Sequence, residues 1–127
     1  VLLATLFILT GCSSDDDNPN SNSPIVGEWN SYRYKASDFN NQEWYLITEP
    51  ISVEFSNNGT FIFKYDDVPE GGGTWSISGN SLTMNYTEDE WDDETINYEI
   101  LVMNESTLRI KEIFDDGEWA IDEFIKQ

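Results

Sequence analysis

From Ile51 onward the chain alternates apolar and polar residues and is cut at short intervals by turn-forming pairs, a pattern that builds strands and leaves no stretch with sustained helical spacing. Ile51, Val53 and Phe55 point one way while Ser52, Glu54 and Ser56 point the other. Asn57-Asn58-Gly59 then turns the chain, because Asn and Gly tolerate positive φ. Thr60–Tyr65 returns with Phe61, Phe63 and Tyr65 on one face and Ile62 as the apolar exception. Thr74-Trp75-Ser76-Ile77 and Leu82-Thr83-Met84-Asn85-Tyr86 repeat the alternation around a Ser78-Gly79-Asn80-Ser81 turn. Ile96, Tyr98, Ile100 and Val102 share a face, and Met103 breaks the pattern, which predicts a bulge or a strand end. Asn104-Glu105-Ser106 turns into Leu108-Arg109-Ile110-Lys111, and Asp115-Asp116-Gly117 into a last strand from Glu118 to Lys126. In that last strand Trp119/Ile121/Ile125 and Ala120/Phe124 both have claims on the inward face.

Upstream, Ile25-Val26-Gly27-Glu28 leads into a half-exposed strand from Trp29 to Lys35. Asp38 to Gln42 reads as a loop and Glu43 to Ile47 as a short second strand. Asp66 to Gly73, with Pro69 and a run of glycines, is expected to be a mobile loop, and Thr87 to Glu94 an exposed one. About eight short strands in sequence predict an all-β antiparallel meander, closed as an up-and-down barrel or stacked as a sandwich.

The first residues are of another kind. An apolar run from Val1 to Leu9 ends in Thr10-Gly11-Cys12 and is followed at once by Ser13-Ser14-Asp15-Asp16-Asp17. It is far shorter than the ~20 residues of a membrane span and has the layout of a secretory signal, although a Lys/Arg-rich start would have to precede Val1. Leu9-Thr10-Gly11-Cys12 resembles the lipobox of bacterial lipoproteins, which implies cleavage between Gly11 and Cys12, lipidation of the Cys12 sulfur with fatty acyl chains such as palmitate, and acylation of the new amino terminus. Ser14, Asp15, Asp16 and Asp17 resemble the export tag that sends some Gram-negative lipoproteins to the outer leaflet. The expected organisation is therefore a signal over residues 1–11, a lipidated cysteine and flexible acidic tether over 12–24, and a barrel over 25–127. The expected location is the outer membrane, facing the cell exterior, with the periplasmic face as the alternative.

Charge and composition remove several function classes. Six basic against twenty-five acidic residues give a net charge of −19, which opposes nucleic acid and anionic lipid headgroups. The chain has no histidine, which excludes Ser-His-Asp and Cys-His triads and imidazole metal sites, and its single cysteine excludes an internal disulfide.

Val26-Gly27-Glu28-Trp29, Ile51-Ser52-Val53-Glu54-Phe55 with Asn58-Gly59-Thr60-Phe61, and Gly73-Thr74-Trp75-Ser76-Ile77-Ser78-Gly79-Asn80-Ser81-Leu82 recur in one order and spacing. With the run from Ile100 to Ile110 they resemble the lipocalin-like domain of bacterial envelope lipoproteins, over Ile25 to Lys126. The resemblance implies a barrel of about eight strands, wide enough for one small ligand, and no assigned reaction. This chain is shorter than secreted lipocalins and shows no helix to pack on the barrel, so its own side chains can fill the interior.

Trp29, Phe55, Phe61, Phe63, Trp75 and Tyr98 are the candidate lining of an apolar cavity and equally the candidate core. Trp44, Trp91 and Trp119 are candidate sugar-stacking residues, the basis of an alternative reading as an adhesion or glycan-contacting module. Glu88 to Glu94 places six carboxylates around Trp91, but without the spacing of a calcium loop it reads as solvated chain. No carboxylate pair stands out as a glycosidase couple. Asn58, Asn85 and Asn104 fit glycosylation triplets but read as turn or strand residues. The expectation is a lipid-anchored barrel without catalysis, cofactor or metal. Its partners are the membrane through Cys12 and a small hydrophobic ligand. An open apolar interior of ~300 Å³ or more would favour the carrier over the surface module.

Overall fold

In a computed structural model that describes residues 23–38, 42–87 and 94–127, every element is a strand. They are β1 (Gly27–Ala36), β2 (Tyr45–Leu46), β3 (Ile51–Phe55), β4 (Thr60–Tyr65), β5 (Val68–Ser78), β6 (Ser81–Tyr86), β7 (Glu94–Met103), β8 (Thr107–Ile113) and β9 (Trp119–Lys126). All pairings are antiparallel, and β1 pairs with both β3 and β9, so β1 and β3 to β9 close an eight-stranded up-and-down barrel. The expected second strand shrinks to Tyr45 and Leu46, which extend the edge of β1 opposite Tyr34 and Arg33.

The turns follow their chemistry. Gly59 adopts φ 88° in the β3–β4 turn, where the Asn58 side chain accepts from the Thr60 backbone N–H at 3.2 Å. Gly79, at φ 62°, is the first of two residues joining the Ser78↔Ser81 pair. The Asn104 side chain accepts from the backbone N–H of Ser106 and Thr107 at 2.9 and 2.8 Å, so Asn58 and Asn104 serve as turn residues.

Two expectations are corrected. The segment from Asp66 to Gly73 is not a loop. Only Asp66 and Asp67 turn, both at positive φ, and Val68 to Gly73 is strand paired with β4. Glycines stand in this strand where neighbouring backbone leaves no room for a side chain: a Cβ on Gly72 would lie 2.4 Å from the Phe61 carbonyl oxygen. Phe61, Gly73 and Tyr86 lie side by side across β4, β5 and β6, and the Phe61 and Tyr86 ring centroids are 5.1 Å apart. Phe63, opposite Gly71, stacks on Tyr86 at 5.6 Å. A Cβ on Gly73 would lie 1.7 Å from the Asn85 carbonyl oxygen, so this approach admits glycine alone.

Val102 is the second correction. The register of β7 on β8 shifts between Ile100 and Val102, so the expected bulge falls at Leu101. Beyond it Met103, opposite Leu108, packs on the core, while Val102 sits opposite Arg109 and leaves the face shared by Ile96, Tyr98 and Ile100.

The barrel is sealed at its amino-terminal end. Ile25 is wholly buried as a plug, and the Trp29 indole N–H donates to the Ile25 carbonyl at 2.8 Å. Lys126 folds inward over Trp29, its ammonium 4.8 Å from the ring centroid and 2.8 Å from the Val26 carbonyl oxygen. Above this plug Val53, Phe55, Phe61, Trp75, Leu82, Met84, Leu108 and Ile110 make the core.

The last strand resolves its ambiguity by covering both faces. Phe124 belongs to the core, so Ala120 and Asp122 share its inward side. Glu123, Ile121 and Trp119 face outward, yet Glu123 and Ile121 are buried. Glu123 lies directly between Arg33 of β1 and Arg109 of β8, each contacting its carboxylate at 2.5 Å. Trp44 lies over this row, with the Arg33 guanidinium carbon 4.1 Å, the Lys35 ammonium 4.8 Å and the Arg109 guanidinium carbon 5.6 Å from its ring centroid.

Candidate ligand site

The six aromatic candidates divide. Trp29, Phe61 and Trp75 are core residues that do not line the cavity described next, with the Trp75 indole N–H donating to the Ser56 carbonyl at 3.1 Å. Phe55, Phe63 and Tyr98 face a cavity of about 160 Å³ inside the barrel. Val53, Met84, Tyr86, Ile110, Phe124, Ser31 and Asp122 complete its wall. It is half the volume that a drug-sized ligand needs and close to the engineered apolar cavity of about 150 Å³ that accepts benzene.

Seven lining residues fall outside the candidate set: Val53, Met84, Tyr86, Ile110, Phe124, Ser31 and Asp122. Tyr86 and Met84 alternate with Leu82 on β6 and Ile110 with Leu108 on β8, so those three were within reach of the period-two rule. Ser31 and Asp122 are polar residues on an apolar face, and periodicity has no way to nominate them.

The polar atoms cluster at one side of the cavity. The Tyr86 and Tyr98 hydroxyls are 3.4 Å apart. Burial pushes the Tyr86 hydroxyl up to about 12, reinforced by the charges of Asp122, Glu112 and Glu94. Burial likewise raises Tyr98, further than Tyr86. The Asp122 carboxyl is raised by burial alone. Glu112 is raised by burial and then by repulsion from Asp122 and Glu94. Among the described residues no side-chain donor or cation pairs with the Asp122 carboxylate.

The wall is incomplete beside this cluster. The β7–β8 ladder starts at Glu99↔Lys111, although β7 begins at Glu94 and β8 runs to Ile113. Where the two strands part, a cleft of about 410 Å³ lies between residues 94–97 and 112–115. A neighbouring cleft of about 330 Å³ is lined by Asn97, Tyr98, Glu99, Lys111 and Ile113. Tyr98 lines both this outer cleft and the inner cavity.

Of the candidate sugar-stacking residues, Trp44 and Trp119 lie outside the barrel but are half-buried, and each ring carries a cation, with the Lys111 ammonium 5.3 Å from the Trp119 centroid. Trp91, the acidic run over residues 88–93, and the amino-terminal calls at Gly11, Cys12, Ser14, Asp15, Asp16 and Asp17 lie outside the described residues. Among the described residues no group of three carboxylates is close enough to hold a metal ion.

A family model described as a lipocalin-like domain matches residues 25–110. No curated protein sequence matches the chain. The fold is similar to that of a lipocalin-like protein from Bacteroides uniformis, with a TM-score of 0.62 and 16% identity over 83% of this chain and 100% of that one. An uncharacterized protein from Bacteroides eggerthii is similar at a TM-score of 0.58 and 12% identity, over 81% of this chain and 99% of that one. A redesigned beta barrel is similar at 0.50 and 11% identity, over 85% and 96% respectively.

Proposed function

We propose, from the premise that this chain belongs to the lipocalin-like domain family, that it is a lipid-anchored outer-membrane barrel that binds a small, ring-sized apolar ligand and carries out no catalysis. The observation that supports this reading is the cavity of about 160 Å³ walled by Phe55, Phe63, Tyr86, Tyr98 and Phe124. Its size narrows the ligand: a single ring fits, and a long acyl chain does not. The anchor is Cys12, with the acidic residues Asp15 to Asp17 directing the protein toward the exterior. Two lipid signals or more are needed for durable membrane attachment, which multiple acyl chains at one cysteine supply.

Native mass spectrometry of protein from its own host tests the ligand reading. A ring-sized adduct is expected on the wild type and not on Ser31→Phe, which fills the cavity. An adduct that survives this substitution, or a bare wild-type barrel, overturns it. Labelled palmitate is expected to enter the wild type and not Cys12→Ser; a Cys12→Ser protein that takes up label equally overturns the anchor.

The alternative, a surface adhesion or glycan-contacting module, draws on Trp44 and Trp119 outside the barrel. It is weakened because Arg33, Lys35 and Arg109 gather on Trp44, and Lys111 on Trp119, leaving less ring face for a sugar.

A further inference from the structure

Asp122 is a half-buried carboxylate on the wall of a cavity otherwise lined mostly by rings, and no described side chain forms a hydrogen bond or ion pair with it. It stands on β9 between the inward positions of Ala120 and Phe124, opposite Ile110 of β8 and Tyr34 of β1. It lines the same cavity as Phe63, Tyr86 and Tyr98. The two tyrosine hydroxyls contact each other rather than the carboxylate. The basic side chains of β1, β8 and β9 do not reach it from within the cavity, since none of them lines it. Arg33 and Arg109 are held by Glu123, Lys35 and Lys111 lie over tryptophan rings outside, and Lys126 caps the sealed end.

We infer that the cavity takes a small organic cation, a protonated amine set against Asp122 with a ring-sized apolar body among Phe63, Tyr86 and Tyr98. The inference rests on the reading of this cavity as the ligand site and adds the ligand's charge. Three features converge on it. The carboxylate supplies a charge-assisted acceptor without a competing donor. Aromatic rings attract an ammonium over their faces, and Phe63, Tyr86 and Tyr98 all line the cavity. The cleft between β7 and β8 carries Glu94, Glu112 and Asp115 on its lips, in a chain of net charge −19, so this side of the barrel concentrates cations. An anionic ligand of the same shape meets repulsion at Asp122 and at the cleft.

The test measures binding of benzylammonium, benzyl alcohol, toluene and benzoate to the full chain by calorimetry or by ligand-observed NMR. Benzylammonium is expected to bind at least about tenfold more tightly than benzyl alcohol or toluene, and benzoate to show no binding. Asp122→Asn is expected to remove the advantage of benzylammonium over toluene. Toluene or benzyl alcohol binding as tightly as benzylammonium to the wild type overturns the cation and leaves the cavity reading intact. Equal benzylammonium affinity in wild type and Asp122→Asn also overturns it. Failure of all four probes to bind overturns the cavity reading and this inference with it. The comparison among probes on the wild type decides the matter even where the variant does not fold.

Discussion

Replacing Glu123 by Gln removes a charge that joins three strands of the barrel, β1, β8 and β9. The carboxylate is 3% exposed and accepts from the Arg33 and Arg109 guanidinium groups at 2.5 Å. Burial pushes its pKa up, but the hydrogen bonds from Arg33 and Arg109 and their positive charges outweigh burial and hold it below the usual glutamate value. Breaking a fully buried pair costs about 3 to 5 kcal/mol. The Arg33 and Arg109 side chains are 27% and 32% exposed, so water already screens them and can solvate them once the partner is gone. The expected loss is therefore about 2 to 3 kcal/mol at neutral pH, which for a domain near 100 residues lowers Tm by roughly 10 to 20 °C. A group whose folded pKa is depressed contributes stability above its unfolded pKa and loses it as pH falls through the folded value. The difference between wild type and Glu123→Gln should thus shrink in acid, where both side chains are neutral. Circular-dichroism melts at neutral and acid pH measure this. Equal melting temperatures at neutral pH, or a gap that does not close in acid, refute the reasoning.

Asp122 has the opposite linkage. Its folded pKa is raised by burial, so its contribution is favourable below its unfolded pKa and is lost as pH rises through the folded one. Asp122→Asn should therefore raise Tm at neutral pH and leave it unchanged in acid, as read by the same melts. Trp75→Ala deletes a ring at the centre of the core and should cost about 3 to 5 kcal/mol in urea unfolding. Gly73→Ala forces β5 away from Asn85 and should cost at least about 2 kcal/mol, with a loss of slow-exchanging amides along the β5–β6 pairing. Ultraviolet titration of the tyrosines should show Tyr86 ionising at about 12 and Tyr98 later still, the last group to respond.

Much of the fold was legible where a single rule governs a segment. The Asn57-Asn58-Gly59 and Gly79-Asn80 turns and the strands beside them follow from positive φ and a two-residue period. The run from Gly71 to Gly73 reads locally as a loop because the β4 and β6 backbone that crowds Gly72 and Gly73 lies outside any local window. The inward face of β9 was undecidable because Ile121 and Glu123 are covered from outside by residues distant in sequence. Of the candidate set, Phe55, Phe63 and Tyr98 line the cavity. Asp122 is not in that set, because a lone carboxylate on an apolar face becomes visible only once the face is known.

The pairing of β1 with β9 brings the first and last strands of the barrel edge to edge, and the Gln127 backbone N–H donates to the Glu28 carbonyl at 3.0 Å. A polypeptide made from its amino end therefore holds β1 half-partnered until β9 has been translated. The ring cannot be completed in instalments, and a product cut after residue 110 is left with two unzipped seams in place of one closed wall. Unpaired β-edges recruit other chains, so premature termination should yield aggregates rather than a smaller working protein.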